Sequence, residues 1–221
     1  MKETAMKTRS ALATSLAIIV ITVIAILVQS SRLPARVPTH WNAQGQVDGY
    51  GSPSSFVLMY LGMSLFILLM QAGLPAISPK GYEINDWRPA FNTIMVSVVG
   101  FMSVVNLAIL AGASGLKVDV TRLIFAIVLI GIGLLGLQMG KVKRNFWVGV
   151  RTPWTLASED VWTATHLLAA KLMSTGGIGG GLLIAVGVSP MPVFAVAMAL
   201  IIYPVFYSYW LYRRLNLNSI K

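Results

Sequence analysis

The sequence predicts an all-α, polytopic membrane protein with six transmembrane helices, an amphipathic cytoplasmic helix and an ordered external loop. Only 11% of its 221 residues are charged, whereas an average soluble domain carries roughly 25%. The hydrophobic share is 56%, and six stretches approach the ~20 apolar residues needed to cross a ~30 Å hydrocarbon core. The 17 Lys and Arg outnumber the 7 Asp and Glu. Because the chain has no cysteine, disulfides, thiolate metal sites and cysteine nucleophiles are excluded.

Each predicted span rests on an apolar run with few or no charges. The first run is a candidate signal peptide, but it exceeds the usual 7–15 residues of such an apolar region, so a retained helix is predicted. The fifth span is short and glycine-rich. The six spans are residues 11–28, 55–77, 91–112, 123–140, 175–188 and 192–212. They divide the chain into an N-terminal three-helix half, residues 1–112, and a C-terminal three-helix half, residues 113–221.

The basic residues orient these spans. With the N-terminus inside, 13 of the 17 Lys and Arg lie in inside segments, so the positive-inside rule places both termini in the cytoplasm. The six tryptophans lie at or outside predicted helix ends, as an interfacial aromatic belt requires. Gly136 with Gly140, and Gly177 with Gly181, are four residues apart. This spacing favours close helix packing within the bundle over a dedicated dimer face.

The external loop, residues 36–51, is the first segment that looks specified beyond being apolar. Gly45, Gly49 and Gly51 are predicted to supply positive φ angles, and Asp48–Gly49 is a typical tight-turn pair. The loop concentrates hydrogen-bonding, charged and stacking side chains, which favours a ligand site. The candidate ligand-binding residues are His40, Trp41, Asn42, Asp48, Gly49 and Tyr50. The alternative is structural, with the aromatic rings at the interface and the polar groups bonded to their own loop. A metal site is not predicted, because the loop offers too few ligands.

The cytoplasmic stretch of residues 141–174 is the second such segment. It begins with basic residues, which also suit contact with anionic lipid. A helix is predicted to begin at Ser158, a good N-cap that is followed by two acidic residues. Its apolar residues recur at helical spacing, which indicates an amphipathic helix on the membrane surface that is able to continue into the fifth span. The candidate residues of a cytoplasmic docking surface are Arg151, Trp154, Trp162 and His166. The alternative role for their rings is anchoring and packing.

Both segments together resemble the SdpI family of bacterial membrane proteins, which is named for immunity to a secreted toxin. Residues 38–42 (PTHWN) and 45–51 (GQVDGYG) are similar to its N-terminal domain of unknown function. Residues 149–156 (GVRTPWTL), followed by Trp162 and His166, are similar to its C-terminal domain. The resemblance covers both halves in order. It implies an integral protein of the bacterial plasma membrane and a role in toxin resistance.

The leading functional hypothesis is a non-enzymatic immunity or sensor protein. A secreted toxin peptide would meet the external loop, and the change would pass through the helices to a cytoplasmic transcriptional regulator. The alternative is a small transporter or channel built from two inverted three-helix halves, although no carboxylate lies in a predicted span. An enzyme is least favoured, because the two histidines are predicted on opposite sides and no hydrolase or nucleotide motif occurs. Membrane lipids are further expected partners; no cofactor and no direct nucleic-acid contact are predicted.

Overall fold

The computed structural model describes residues 8–42, 46–117 and 119–218. These residues form seven α-helices and a two-stranded hairpin, with 3₁₀ turns at Ser30–Arg32 and Ile84–Trp87. In chain order the elements are α1 (Thr8–Gln29), β1 (Val37–Trp41), β2 (Val47–Gly51), α2 (Pro53–Gly73), α3 (Arg88–Ala113), α4 (Val120–Met139), α5 (Pro153–Ala157), α6 (Glu159–Ala185) and α7 (Pro190–Asn218).

All of these helices except α5 are long and apolar enough to cross a membrane. The predicted all-α polytopic architecture with six spans is therefore confirmed. The amphipathic helix and the fifth span, however, are not separate elements. They form one continuous helix, α6, since no proline or turn interrupts the chain between them. The described residues of the predicted external loop form the β1–β2 hairpin.

Local capping chemistry explains where several helices begin. Ser52, Asp119 and Ser158 each accept a hydrogen bond from the backbone N–H three residues further on. These bonds satisfy donors that have no partner inside the first helical turn. The predicted N-cap at Ser158 is thereby confirmed.

The predicted close packing at glycines occurs between α4 and α6. A Cβ at Gly177 would lie 2.6 Å from the Cα of Gly133, and a Cβ at Gly136 would lie 2.7 Å from the Cβ of Met173. A Cβ at Gly181 would lie 2.7 Å from the carbonyl oxygen of Ala126. Only glycine permits this close approach of the backbones. Close packing of this kind stabilises helix contacts in lipid, where no hydrophobic driving force acts between helices.

Three apolar cores hold the bundle together. One joins α1, α2 and α3 to the hairpin, where Val37 is fully buried. One lies at the opposite end and joins α2 and α3 to α4 and α6 through residues such as Trp87, Phe91 and Trp162. The third joins α4, α6 and α7. Because the second core draws on residues before and after residue 112, the two halves pack on each other; their division into separate units stays a prediction.

The ends of the bundle can be assigned from the hairpin. Asn42 shares a cavity with Thr121 at the start of α4 and Met191 at the start of α7. The 20 residues of α4 then extend about 30 Å to the other end at ~1.5 Å per residue. Residues 140–158 therefore lie at the end of the bundle opposite the hairpin. Which end faces the cytoplasm stays a prediction, and three of the basic residues that orient the chain, Lys2, Lys7 and Lys221, lie outside the described residues.

Candidate functional site

The hairpin is held by a short antiparallel ladder and by Asn42. Val37 pairs with Gly51, and His40 pairs with Gly49. Asn42 closes the turn, because its backbone N–H donates to the Gln46 carbonyl at 2.9 Å and its side-chain oxygen accepts from the Gln46 N–H at 2.9 Å. Asn42, a candidate ligand residue, thus has bonds to its own loop.

The prediction of positive φ at Gly49 and Gly51 is wrong. Both glycines lie inside β2, and neither has a positive φ. The predicted turn glycine Gly45 lies outside the described residues. Gly49 has a different role: a Cβ there would lie 2.7 Å from the Cβ of His40. The two strands therefore lie so close that a side chain at position 49 would collide with the side chain of His40.

His40 and Asp48 are brought together on the surface of the hairpin. The Nδ1 atom of His40 lies 2.5 Å from a carboxylate oxygen of Asp48. Their side chains are 69% and 44% exposed, so the pair is accessible from solvent. Because Nδ1 faces the carboxylate, Nε2 is the ring atom that remains to meet a ligand.

The aromatic candidates of the hairpin differ in their surroundings. Tyr50 is 49% exposed, and the guanidinium of Arg36 lies 4.8 Å from its ring centre, a cation–π distance. The backbone of Trp41 belongs to β1, but its side chain lies outside the described residues. His40, Asp48 and Tyr50 therefore form the accessible part of the predicted ligand site.

Asn145 organises the segment between α4 and α5, and sequence reasoning missed it. It is fully buried, and its Oδ1 accepts from the backbone N–H groups of Trp147 and Val148 at 2.7 and 2.8 Å. Its Nδ2 donates to the carbonyls of Lys143 and Val148. A lone asparagine between a basic run and an aromatic pair was the available signal, since asparagine side chains commonly replace missing backbone partners in turns.

Trp162 and His166 form the buried centre of this segment. Their rings stack at 4.0 Å, and they are only 2% and 1% exposed. The indole N–H of Trp162 donates to the Val142 carbonyl. His166 Nδ1 donates to the Trp162 carbonyl, while its Nε2 accepts the Val150 N–H. This pattern requires the neutral Nδ1–H tautomer, because Nε2 must carry a lone pair.

The four predicted docking residues consequently do not share one surface. Arg151 is exposed and donates to the Phe146 carbonyl. Trp154 is half-buried between α5 and α7, where its indole N–H donates to the Ser208 hydroxyl at 2.6 Å. Trp162 and His166 lie beneath, so the aromatic-belt assignment of Trp162 does not hold. A partner that docks here would meet Arg151 and the edge of Trp154, while the buried pair holds them in place.

A set of contacts, which we call the inter-half latch, joins residues 143–147 to the α2–α3 connection. The Trp147 indole N–H donates to the Ser78 hydroxyl at 3.2 Å. The guanidinium of Arg144 lies 5.2 Å from the ring centre of Tyr82, and Phe146 lies 4.4 Å from the same ring. The latch thus links the two predicted three-helix halves at the end opposite the hairpin. Ser78 and Tyr82, the residues of the α2–α3 connection in these contacts, belong to no recognisable sequence motif.

The structure also bears on cofactor chemistry. Within residues 8–42, 46–117 and 119–218, no group of three or more His, Cys, Asp or Glu is placed to hold a metal ion. The two histidines lie at opposite ends of the bundle, His40 on the hairpin and His166 near the start of α6.

Comparison with known proteins assigns both segments. Residues 17–63, which include α1, the hairpin and the start of α2, match the domain of unknown function DUF1648. Residues 141–208 match the SdpI/YfhL protein family. The chain is 22% identical to "Immunity protein SdpI" of Bacillus subtilis (strain 168) over 163 residues, which is 72% of this chain and 74% of that protein. No solved structure matches. Residues 17–63 and 141–208 are thus similar to DUF1648 and to the SdpI/YfhL protein family, in this order, on a chain with six long apolar helices.

Proposed function

We propose that the chain is a membrane immunity protein that gives resistance to a secreted antimicrobial peptide or toxin. The observation that carries the proposal is the similarity to an immunity protein along 72% of the chain. The family matches at residues 17–63 and 141–208 add the hairpin and the segment after α4.

The hairpin is the site proposed to meet the peptide. His40 and Asp48 offer a hydrogen-bonding ring and a carboxylate side by side, and both are exposed. The exposed ring of Tyr50 adds a stacking surface. Such convergent polar groups beside an aromatic ring are what orient a peptide ligand. Trp41, Asn42 and Gly49 complete the proposed site.

The proposed orientation places the hairpin outside the bacterial plasma membrane and both termini in the cytoplasm. It is supported by the excess of Lys and Arg on the other side of the spans. The latch and Arg151 would then face the cytoplasm, where signalling to a transcriptional regulator is proposed. The latch supports this second role because it joins the half that carries the hairpin to the segment proposed for docking. A shift of α2 or α3 would therefore reach residues 143–151.

The test of immunity is deletion of the gene, followed by survival assays against secreted peptides of the host and its neighbours. Deletion should reduce survival, and the wild-type gene should restore it. His40→Ala and Asp48→Asn should fail to restore survival at normal membrane levels. Arg32→Ala, an exposed cation at the same end of the bundle but outside the hairpin, is the matched control and should restore it.

Two outcomes contradict the proposal. If deletion leaves survival unchanged against every peptide but alters uptake of a solute, the transporter alternative replaces immunity. If both hairpin variants protect as well as the control, the hairpin is not the site. For signalling, Arg151→Ala should reduce membrane recruitment of the regulator while protection persists; equal recruitment by this variant and by wild type removes Arg151 from docking.

A further inference from the structure

A groove of about 800 Å³ opens between α2, α3 and α4 directly beneath the hairpin. Its walls are almost entirely apolar, and Thr39 and His40 form its rim. The volume lies toward the upper end of the roughly 300–1,000 Å³ typical of ligand cavities. The groove, called here the α2–α4 groove, is therefore continuous with the proposed peptide site.

We propose that the α2–α4 groove binds the apolar helical segment of a membrane-inserting peptide that carries a basic residue at its outer end. The inference rests on the proposed function and identifies the chemistry of its ligand. Residues of the hairpin would contact the outer end of the peptide, and the helices would contact the part within the membrane.

The side chains of the wall suit a peptide helix. Met59, Met63 and Met102 lie along it with Phe66 and Phe101. Methionine has three rotatable bonds and a polarizable sulfur, so it adapts to irregular side-chain surfaces and is common where a groove receives a helix. Met63 is 51% exposed and Phe66 is 60% exposed, so neither is covered by another part of the described chain.

Asn106 distinguishes a peptide from a lipid chain. It lies in the groove wall and is only 8% exposed. Its Nδ2 donates to the Met102 carbonyl at 2.8 Å, but its Oδ1 has no hydrogen-bond partner among the described residues. An unpaired acceptor in an apolar site is costly. A serine, threonine or tryptophan side chain of a peptide can donate to it, whereas an acyl chain has no donor.

The negative charge at the rim of the groove is the reason why the proposed peptide carries a basic residue. Asp48 is the one carboxylate in residues 37–51, and it is bonded to His40, which lines the groove. The Asp48 carboxylate carries a negative charge beside this rim. A lysine or arginine at the outer end of a bound helix would lie beside this charge, and electrostatic complementarity of this kind fixes orientation and suppresses wrong partners.

Gly62 offers a way to close the groove without disturbing the fold. It lines the α2–α4 groove, and a Cβ built on it meets nothing within 4 Å. Gly62→Leu should therefore fill empty space. Gly100 is a matched control, because its Cβ also meets nothing within 4 Å, but it lines a different groove between α3 and α4.

The experiment is disulfide cross-linking in vesicles of equal parts phosphatidylcholine and phosphatidylglycerol. The full chain is cysteine-free, so single-cysteine variants react at one position. The probe is a synthetic leucine–alanine helix with lysines at its outer end and one central serine and one central cysteine. Met63→Cys reports on the groove. Ile21→Cys is the control, because Ile21 is 65% exposed on α1 and lies at a similar depth from the hairpin end.

The expected result is that Met63→Cys cross-links about tenfold faster than Ile21→Cys, a preference that corresponds to about 1.4 kcal/mol. Adding Gly62→Leu should remove this preference, and adding Gly100→Leu should leave it unchanged. Asn106→Leu should weaken cross-linking of the serine-containing probe but not of a probe with alanine in its place. Equal cross-linking rates of Met63→Cys and Ile21→Cys would mean that the probe contacts only a lipid-facing surface, and would overturn the proposal. An equal effect of Gly62→Leu and Gly100→Leu would also overturn it.

The survival assay separates this inference from the proposed function. If Asp48→Asn loses protection while Gly62→Leu retains it, the groove does not bind the toxin although the immunity proposal stands. If deletion of the gene changes no survival while the cross-linking preference holds, the immunity proposal fails and peptide binding by the groove remains.

Discussion

Gly177 allows a quantitative test of the contact between α4 and α6. In Gly177→Ala the new Cβ would lie 2.6 Å from Gly133 Cα and from the Leu129 carbonyl oxygen, whereas ordinary contacts begin at 3.4 Å. These atoms are backbone and cannot rotate away. The helices would have to separate by about 0.8 Å, a gap that forfeits roughly a quarter to a half of the dispersion energy of each lining contact. Gly177→Ala is an overpacking substitution.

The expected cost follows from these distances and from helix propensity. Overpacking costs about 1–3 kcal/mol, and replacing glycine by alanine in a helix returns up to about 1 kcal/mol. After the full gain in helix propensity, Gly177→Ala should thus lower the free energy of unfolding by up to about 2 kcal/mol. Gly179→Ala, two residues away, should leave it unchanged or raise it by up to about 1 kcal/mol, because a Cβ at Gly179 meets nothing within 4 Å.

The assay is reversible unfolding in detergent micelles, followed by circular dichroism as a denaturing detergent is titrated. The two alanine variants share one helix and one chemical change, so differences in propensity cancel between them. Equal unfolding free energies for Gly177→Ala and Gly179→Ala would refute the conclusion that glycine allows a specific close contact at residue 177.

Three further predictions concern the other elements. Asn145→Ala should destabilise the protein by about 2 kcal/mol or more, because buried backbone donors lose their acceptor; Asn145→Asp, which keeps the acceptor oxygens, should lose less in the same unfolding titration. His166→Ala should quench or shift the fluorescence of its stacked tryptophan partner and lower stability by about 1–3 kcal/mol, and unchanged values would contradict the buried pair. A membrane-impermeant maleimide should label Ser54→Cys, at the hairpin end, in intact cells, and should label Lys143→Cys only after lysis; the reverse pattern would invert the proposed topology.

Much of the fold was predictable because it depends on local properties of the chain. Hydropathy over about 20 residues determines a span, and the serine before two acidic residues marks the start of α6 at Ser158. The sequence does not decide whether α6 is continuous, because six glycines from residue 176 to residue 187 weaken helix propensity. The contact with α4 compensates, since Gly133 and Gly177 let the two backbones meet.

The candidate site was predictable in composition but not in arrangement. The exposed pair of His40 and Asp48 came from residues that the sequence had already singled out. Asp48 and Gly49 lie in β2 and not in a turn. The two residues suit a turn as well as a bulged strand, and pairing with His40 decides between the two. The position of Asn145 between a basic run and an aromatic pair does not by itself predict its hydrogen bonds, because asparagine serves many loop geometries.

The sequence by itself determined that the chain is a six-span membrane protein, the start of five spans to within three residues, and the N-cap of α6 at Ser158. These features follow from composition and short-range capping, which need no knowledge of distant contacts. Only the tertiary structure decided that Trp162 and His166 are buried rather than exposed, that Trp147 reaches Ser78 in the other half, and that a groove opens beneath the hairpin. Each of these features depends on residues that lie far apart along the chain. Burial, hydrogen bonding and the groove therefore arise only when whole helices pack together.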